Sequence, residues 1–202
     1  KVNTRYALVL NPDTVLKKDT LENFLKSASE NADFSLIGPI NIQDEEKKIK
    51  KELIEVKNLK GFAIFFNMKK FQKNKFFDEN YFLYFEEIDL CRSVTKDKGK
   101  IYLDPKISIL HEGAKSVNKI YSFEIEKNRN WHWMWSTFYY HKKHRNFFYA
   151  ILITLPKLFS AFFKTVFYGL ILDKSKRDIY YCRLSGLVNS ILGKNSWYRP
   201  SL

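Results

Sequence analysis

At 202 residues, with 45% hydrophobic and 17% aromatic content, the chain is long enough for one core or a domain with an appendage, and too apolar to be disordered. Its net charge of +13 is unevenly placed: from Lys127 onward thirteen Lys or Arg face two acids, Asp173 and Asp178, so the first 126 residues are nearly neutral. A basic tail that is also apolar points to anionic lipid, and the absence of an RNA or DNA recognition motif argues against nucleic acid as a partner.

The two cysteines, Cys91 and Cys182, form no disulfide pattern or metal-ligand spacing, which fits a reducing cytoplasm. The chain opens KVNTRYALVL, without the basic segment and apolar run of a signal peptide. An early strand with no initiator Met before it predicts a fragment whose N-terminal part is missing.

Tyr6–Leu10 is an apolar run ending in Asn-Pro, as a buried strand does at a turn. Asp13 follows in Asn11-Pro12-Asp13-Thr14; it reads either as a turn-capping residue or as a ligand-binding one, because ligands of open α/β sheets sit beyond the carboxyl ends of the strands. A helix is expected over Asp19–Glu30, with Leu21, Phe24, Leu25 and Ala28 as its apolar stripe and Asp19 and Glu22 as a capping box. Phe34–Ile40 is the next strand, stopped by Gly38-Pro39. Strand, helix and strand in this order imply a parallel α/β unit. Asp44–Glu52 reads as a charged surface loop, Leu53–Val56 as a weak strand and Gly61–Phe66 as a stronger one. A glycine at a strand mouth lets backbone approach a ligand closely or simply makes a turn.

The stretch Tyr81–Ser93, YFLYFEEIDLCRS, is the most informative. Glu86, Glu87 and Asp89 lie within four residues, behind the aromatic residues Tyr81, Phe82, Tyr84 and Phe85. Crowded carboxylates repel unless a cation or proton relieves them, and an aromatic wall that dries the site would hold one as a base. The alternative is the acidic first turn of a helix. That helix is expected from Glu87 to about Thr95, ended by Lys98-Gly99. Two short strands follow, Ile101–Leu103 and Ile107–Leu110, separated by Asp104-Pro105. His111 closes the second strand, either as a structural histidine or as a partner of Asp13 across the sheet.

In the tail, Asn130–Arg145 is dense in aromatic and basic residues. His132, His141 and His144 have no carboxylate or cysteine among them, so a basic-aromatic face is favoured over a metal site. Phe147–Leu172 is mostly apolar, interrupted by Pro156, Lys157 and Lys164. The two lysines are seven apart, hence on one face. This predicts a helix or helical hairpin in the plane of a membrane interface, with the lysines toward the headgroups, in preference to a spanning helix; a buried soluble helix pair is the third reading.

Taken together, Leu10-Asn-Pro-Asp-Thr14, Lys60-Gly-Phe62, Phe77-Asp-Glu79, the Tyr81–Arg92 stretch, Gly99, Pro105 and His111 resemble the second half of a family 2 glycosyltransferase catalytic domain, the GT-A fold, in its bacterial rhamnosyltransferase-like branch. Asn130–Arg145, including its Tyr-Tyr-His-Lys-Lys-His end, resembles the helix that follows the catalytic domain in that branch. The resemblance implies an α/β fold with a mixed sheet: a partial GT-A domain over residues 1–126, then a helical, membrane-associated segment over 127–202. It implies transfer of a sugar, with rhamnose one candidate, from a nucleotide-diphosphate donor to a glycan or lipid-linked acceptor in surface polysaccharide or lipopolysaccharide synthesis. Asp13 would be a ligand of Mn²⁺ or Mg²⁺, with His111 a further one. Glu87 stands where the family usually has Asp as general base, with Glu86 the fallback, and Asp89 would bind acceptor or orient the base. Asn11, Gly61, Phe62, Asp89 and Arg92 would line the substrate site. The implied location is the cytoplasmic face of the inner membrane, peripheral or monotopic, and a homo-oligomer is left open. A non-catalytic tethering remnant and a basic nucleic-acid-binding module are the competing classes.

Overall fold

A computed structural model describes residues 4–44, 52–71, 76–111, 113 and 121–200. The expected loop Asp44–Glu52 lies almost wholly outside them. The chain divides into two compact units: one comprises the described residues up to Asp78 and again from Glu87 to Gly113, and the other comprises Glu79–Glu86 and everything from Tyr121 onward. A single division between residues 126 and 127 does not foresee that Glu79–Glu86 joins the helices.

The first unit is α/β with a mixed, open sheet. Its elements are β1 (Tyr6–Leu10), β2 (Thr14–Val15), α1 (Thr20–Glu30), β3 (Phe34–Asn41), β4 (Ile54–Glu55), β5 (Ala63–Asn67), α2 (Glu86–Lys96) and β6 (Lys100–His111). The strand order is β1-β5-β3-β6-β2, with β4 also paired to β6. β5 is antiparallel to both β1 and β3, and β3 is parallel to β6. The strands around α1 therefore run the same way, as expected, but β5 lies between them.

Alternation along β5 builds the core. Ala63 and Phe65 pack with Phe24 and Ala28 of α1 and with Phe34, Ile37 and Ile109, whereas Ile64 and Phe66 pack with Leu90, Cys91 and Val94 of α2. Successive strand residues point to opposite faces, so a strand covered by helices on both sides is apolar on both, as Ala63–Phe66 are. Every residue of β5 is buried. Each buried Phe on these faces contributes roughly 1.5–3 kcal/mol.

Several local expectations change. β1 is an edge strand of the described sheet and only half-buried, with Val9 40% exposed. The buried face of α1 is Thr20, Phe24, Ser27 and Ala28, while Leu21 and Leu25 are about half exposed. The capping box does not form: Asp19 takes the side-chain amide of Asn23 at 3.0 Å and makes no side-chain cap. Gly38-Pro39 does not stop β3 but marks a register shift within it, and β6 is one twelve-residue strand whose irregularity faces that shift. Asp104 is buried there, and its Oδ1 accepts a hydrogen bond from the Lys106 N–H at 2.9 Å. This side-chain bond satisfies the Lys106 N–H within the irregularity, where Pro105 has no N–H to donate.

The second unit is helical: α3 (Ser122–His144), α4 (Phe147–Leu170) and α5 (Lys174–Ile191). Trp131, Met134, Trp135 and Phe138 of α3 are buried, and Met134 and Phe138 cluster with Ala150 of α4 and Leu187 of α5. Asn146 caps α4, accepting from the Tyr149 N–H at 2.8 Å, and Asp173 caps α5, accepting from the Lys176 N–H at 3.0 Å. α4 runs on through Pro156. His132 is fully buried rather than part of a basic face. Its Nε2–H donates to the Tyr198 carbonyl at 2.9 Å, and its Nδ1 accepts from the Ser196 hydroxyl at 3.1 Å, which defines the neutral tautomer. Burial lowers its pKa to about 4.

Candidate active site

The carboxyl end of β1 turns at Asn11-Pro12-Asp13-Thr14. The Asn11 carbonyl accepts from both the backbone N–H of Thr14 (3.3 Å) and its hydroxyl (2.7 Å), a tight turn with Pro at its second position. β2 then pairs with the end of β6, Thr14 opposite His111. That register brings the preceding residue to the histidine: Asp13 Oδ1 lies 3.3 Å from His111 Nε2, with the side chains 20% and 24% exposed. Asp13 and His111, about a hundred residues apart in the chain, thus meet at one end of the sheet.

Two neighbours hold His111. Its ring stacks on Phe62, with centroids 5.0 Å apart and planes within 11°. Its backbone is bracketed by Asn41, whose side-chain oxygen accepts from the His111 N–H and whose amide donates to the His111 carbonyl, both at 3.2 Å. Phe62 is in turn tied to the turn, its carbonyl accepting from the Asn11 N–H at 2.9 Å. Asn41 had no signal in the sequence; only the parallel pairing of β3 with β6 puts it beside His111.

Gly61, the residue before Phe62, faces Glu87. A Cβ on Gly61 would stand 3.3 Å from the Glu87 Cβ and Cγ and 3.5 Å from its Cδ. The glycine is therefore used for close approach, and consecutive residues touch Glu87 on one side and His111 on the other. Burial raises the pKa of Glu87, against hydrogen bonds from its own N–H and that of Ile88 at the start of α2. At 100° per residue, Asp89 is rotated about 200° from Glu87 around α2, and Arg92 lies on the same flank as Asp89. Asp89 is 3% exposed. Glu86 falls in the other unit. The structure thus gathers Asn11, Asp13, Gly61, Phe62, Glu87 and His111, and separates Asp89 and Arg92 from them by the turn of the helix.

Tyr81 packs on Tyr139, Phe82 on His132, and Tyr84 and Phe85 on Trp133, all within the helical unit. Tyr84 and Phe85 both adopt left-handed backbone, φ 68° and 72°. Such a conformation costs of order 1–3 kcal/mol per non-glycine residue and persists only where packing over-determines it. Neither residue type signals a turn.

The donor set suits a particular kind of cation site. One carboxylate and one imidazole leave most of a hard cation's six or so positions to be filled by phosphate oxygens and water, the usual situation of Mg²⁺ bound with its substrate, and the imidazole admits Mn²⁺. Among the described residues no group of three or more His, Cys, Asp or Glu gathers, so they offer no cage that would hold a metal by itself. No protein-family model matches the chain, and no characterised protein matches it.

Proposed function

We propose that the chain is a glycosyltransferase of the GT-A type, moving a sugar from a nucleotide-diphosphate donor to a hydroxyl of a glycan or lipid-linked acceptor in surface polysaccharide synthesis. The observation that supports it best is the convergence of Asp13 and His111 beside the Gly61–Glu87 contact. In this reading Asp13 and His111 would hold Mn²⁺ or Mg²⁺, which would neutralise the diphosphate as it leaves. The acceptor oxygen attacks the anomeric carbon, the bond to the diphosphate oxygen breaks, and that electron pair departs with the diphosphate. Glu87 takes the acceptor proton; a carboxyl held above its ordinary range is better matched to that task near neutral pH. One base and one displacement give inversion. Phe62 and Gly61 line the sugar pocket, and the protein works at the cytoplasmic face of the inner membrane, peripherally or monotopically.

The test is a pair of variants assayed with a panel of nucleotide-diphosphate sugars and Mn²⁺. Glu87→Gln should abolish transfer and leave donor binding by calorimetry nearly unchanged, because the shape stays and the base goes. Asp13→Asn should weaken binding only when the metal is present. Metal-independent donor binding in both proteins would remove the Asp13–His111 assignment, and normal turnover in Glu87→Gln would move the base elsewhere.

A further inference from the structure

α4 has two unlike sides. Phe148, Leu152, Leu155, Phe159, Phe163, Val166 and Leu170 are 37–82% exposed and recur at intervals of three or four, so they form one stripe along the whole helix. The opposite side holds the buried Ala150, Thr154 and Ala161. Lys157 and Lys164 lie on that packed side as well, half a turn from the stripe. Lys164 reaches the Tyr180 hydroxyl of α5 at 3.4 Å and sits 4.9 Å above its ring. The lysines therefore do not share a face with the apolar residues as headgroup anchors, and the stripe carries no charge.

Positive charge stands at both ends of it instead. Lys142, Lys143 and Arg145 precede the stripe, with no acid between Lys127 and Leu172; Lys174, Lys176 and Arg177 follow it, where Asp173 pairs with Lys176 at 3.4 Å and Asp178 with Arg177 at 2.8 Å, so the second cluster is the weaker. α5 packs along α4: Tyr168 stacks on Tyr180 at 5.5 Å, and Lys176 lies 5.2 Å over Tyr168. Were α4 to cross a bilayer, α5 would be carried in beside it with Arg183, whose charge acts on Lys157 near the middle of α4, and charged groups at that depth are costly. One basic cluster would also have to pass to the far side. A helix lying flat meets neither obstacle.

We infer that the stripe is a docking face for an anionic lipid surface, with α4 in the plane of the interface and the Lys142, Lys143 and Arg145 cluster at headgroup level. The inference rests on the membrane location proposed above but is independent of sugar transfer. Its test uses the whole chain, vesicles of phosphatidylcholine with and without phosphatidylglycerol, and co-sedimentation. Phe159→Ser with Phe163→Ser should weaken binding about tenfold or more, from lost apolar burial. Lys142→Gln, Lys143→Gln and Arg145→Gln together should weaken it on the order of a hundredfold on anionic vesicles and far less on neutral ones. Lys157→Gln with Lys164→Gln should leave it within about twofold. Fluorophores on single cysteines replacing Leu152, Phe159 and Val166 should report one common depth; a graded depth, approaching the about 21 Å that fourteen helical residues span, would overturn the in-plane arrangement and keep the membrane. Absence of binding to either vesicle would overturn both, and a dimer dissociated by Phe159→Glu would assign the stripe to a second copy of the chain.

Discussion

Gly186→Ala is the sharpest test of the helical unit. Alanine in place of glycine inside a helix ordinarily stabilises by about 1 kcal/mol. Here a Cβ would fall 2.2 Å from the Trp131 carbonyl oxygen and 3.0 Å from its carbon, against the 3.4 Å at which ordinary contact begins. The obstacle is backbone, so no rotamer change relieves it, and α3 and α5 must separate by roughly 1 Å where side chains interdigitate. That movement stretches the hydrogen bonds from the Trp131 Nε1–H to Ser185 (3.2 Å) and from the Ser190 hydroxyl to the Trp135 carbonyl (2.9 Å). Overpacking costs typically about 1–3 kcal/mol, and a backbone clash belongs at the upper end, so the net loss should be about 2 kcal/mol. All four tryptophans, Trp131, Trp133, Trp135 and Trp197, lie in this unit, so urea unfolding followed by tryptophan fluorescence reads it selectively. Gly169→Ala is the matched control: its Cβ would meet nothing closer than the Arg177 Cδ at 3.8 Å, and it should be neutral or stabilising by up to about 1 kcal/mol. A Gly186→Ala midpoint equal to that of the parent would refute the close packing of α5 on α3.

Two further expectations concern pH. His132 has a pKa lowered from 6.5 to about 4 by burial, so the unfolded chain binds the extra proton between those values and stability is lost as pH falls through that window. Between pH 7 and pH 5 the loss should be roughly 2 kcal/mol by the same fluorescence assay, and His132→Gln should flatten it; an unchanged slope in the variant would assign the acid sensitivity elsewhere. Glu87 has the opposite sign: its folded pKa is raised, so its burial costs nothing while both states are protonated and destabilises increasingly as pH rises through the folded pKa. Glu87→Gln should therefore gain stability over the parent on going from pH 4 to pH 8, and a constant difference would mean that the carboxyl is not desolvated.

Most strands and helices were legible in the sequence because their signals are local. Tyr6–Leu10 ends at Asn-Pro, Ala63–Phe66 of β5 is an unbroken apolar run, and α2 ends before Lys98-Gly99, where Lys98 takes φ 59° and the Gly99 N–H closes on the Val94 carbonyl at 2.8 Å. The pairing of Asp13 with His111 was also within reach, since both close apolar strands. Neighbour relations were not. That β5 separates β1 from β3, and that Asn41 grips His111, depend on pairings between residues tens of positions apart, for which the period of a pattern carries no information. The acids Glu86, Glu87 and Asp89 are close in sequence, yet the helix turns Glu87 away from the other two, because it spaces successive side chains by 100°. On α4 the sequence by itself determined that the two lysines share one side and the large apolar residues another, through the helical period alone. Only the tertiary structure decided which side is covered: Ala150, Thr154 and Ala161 are small enough to let α3 and α5 approach, and packing follows the smallest side chains.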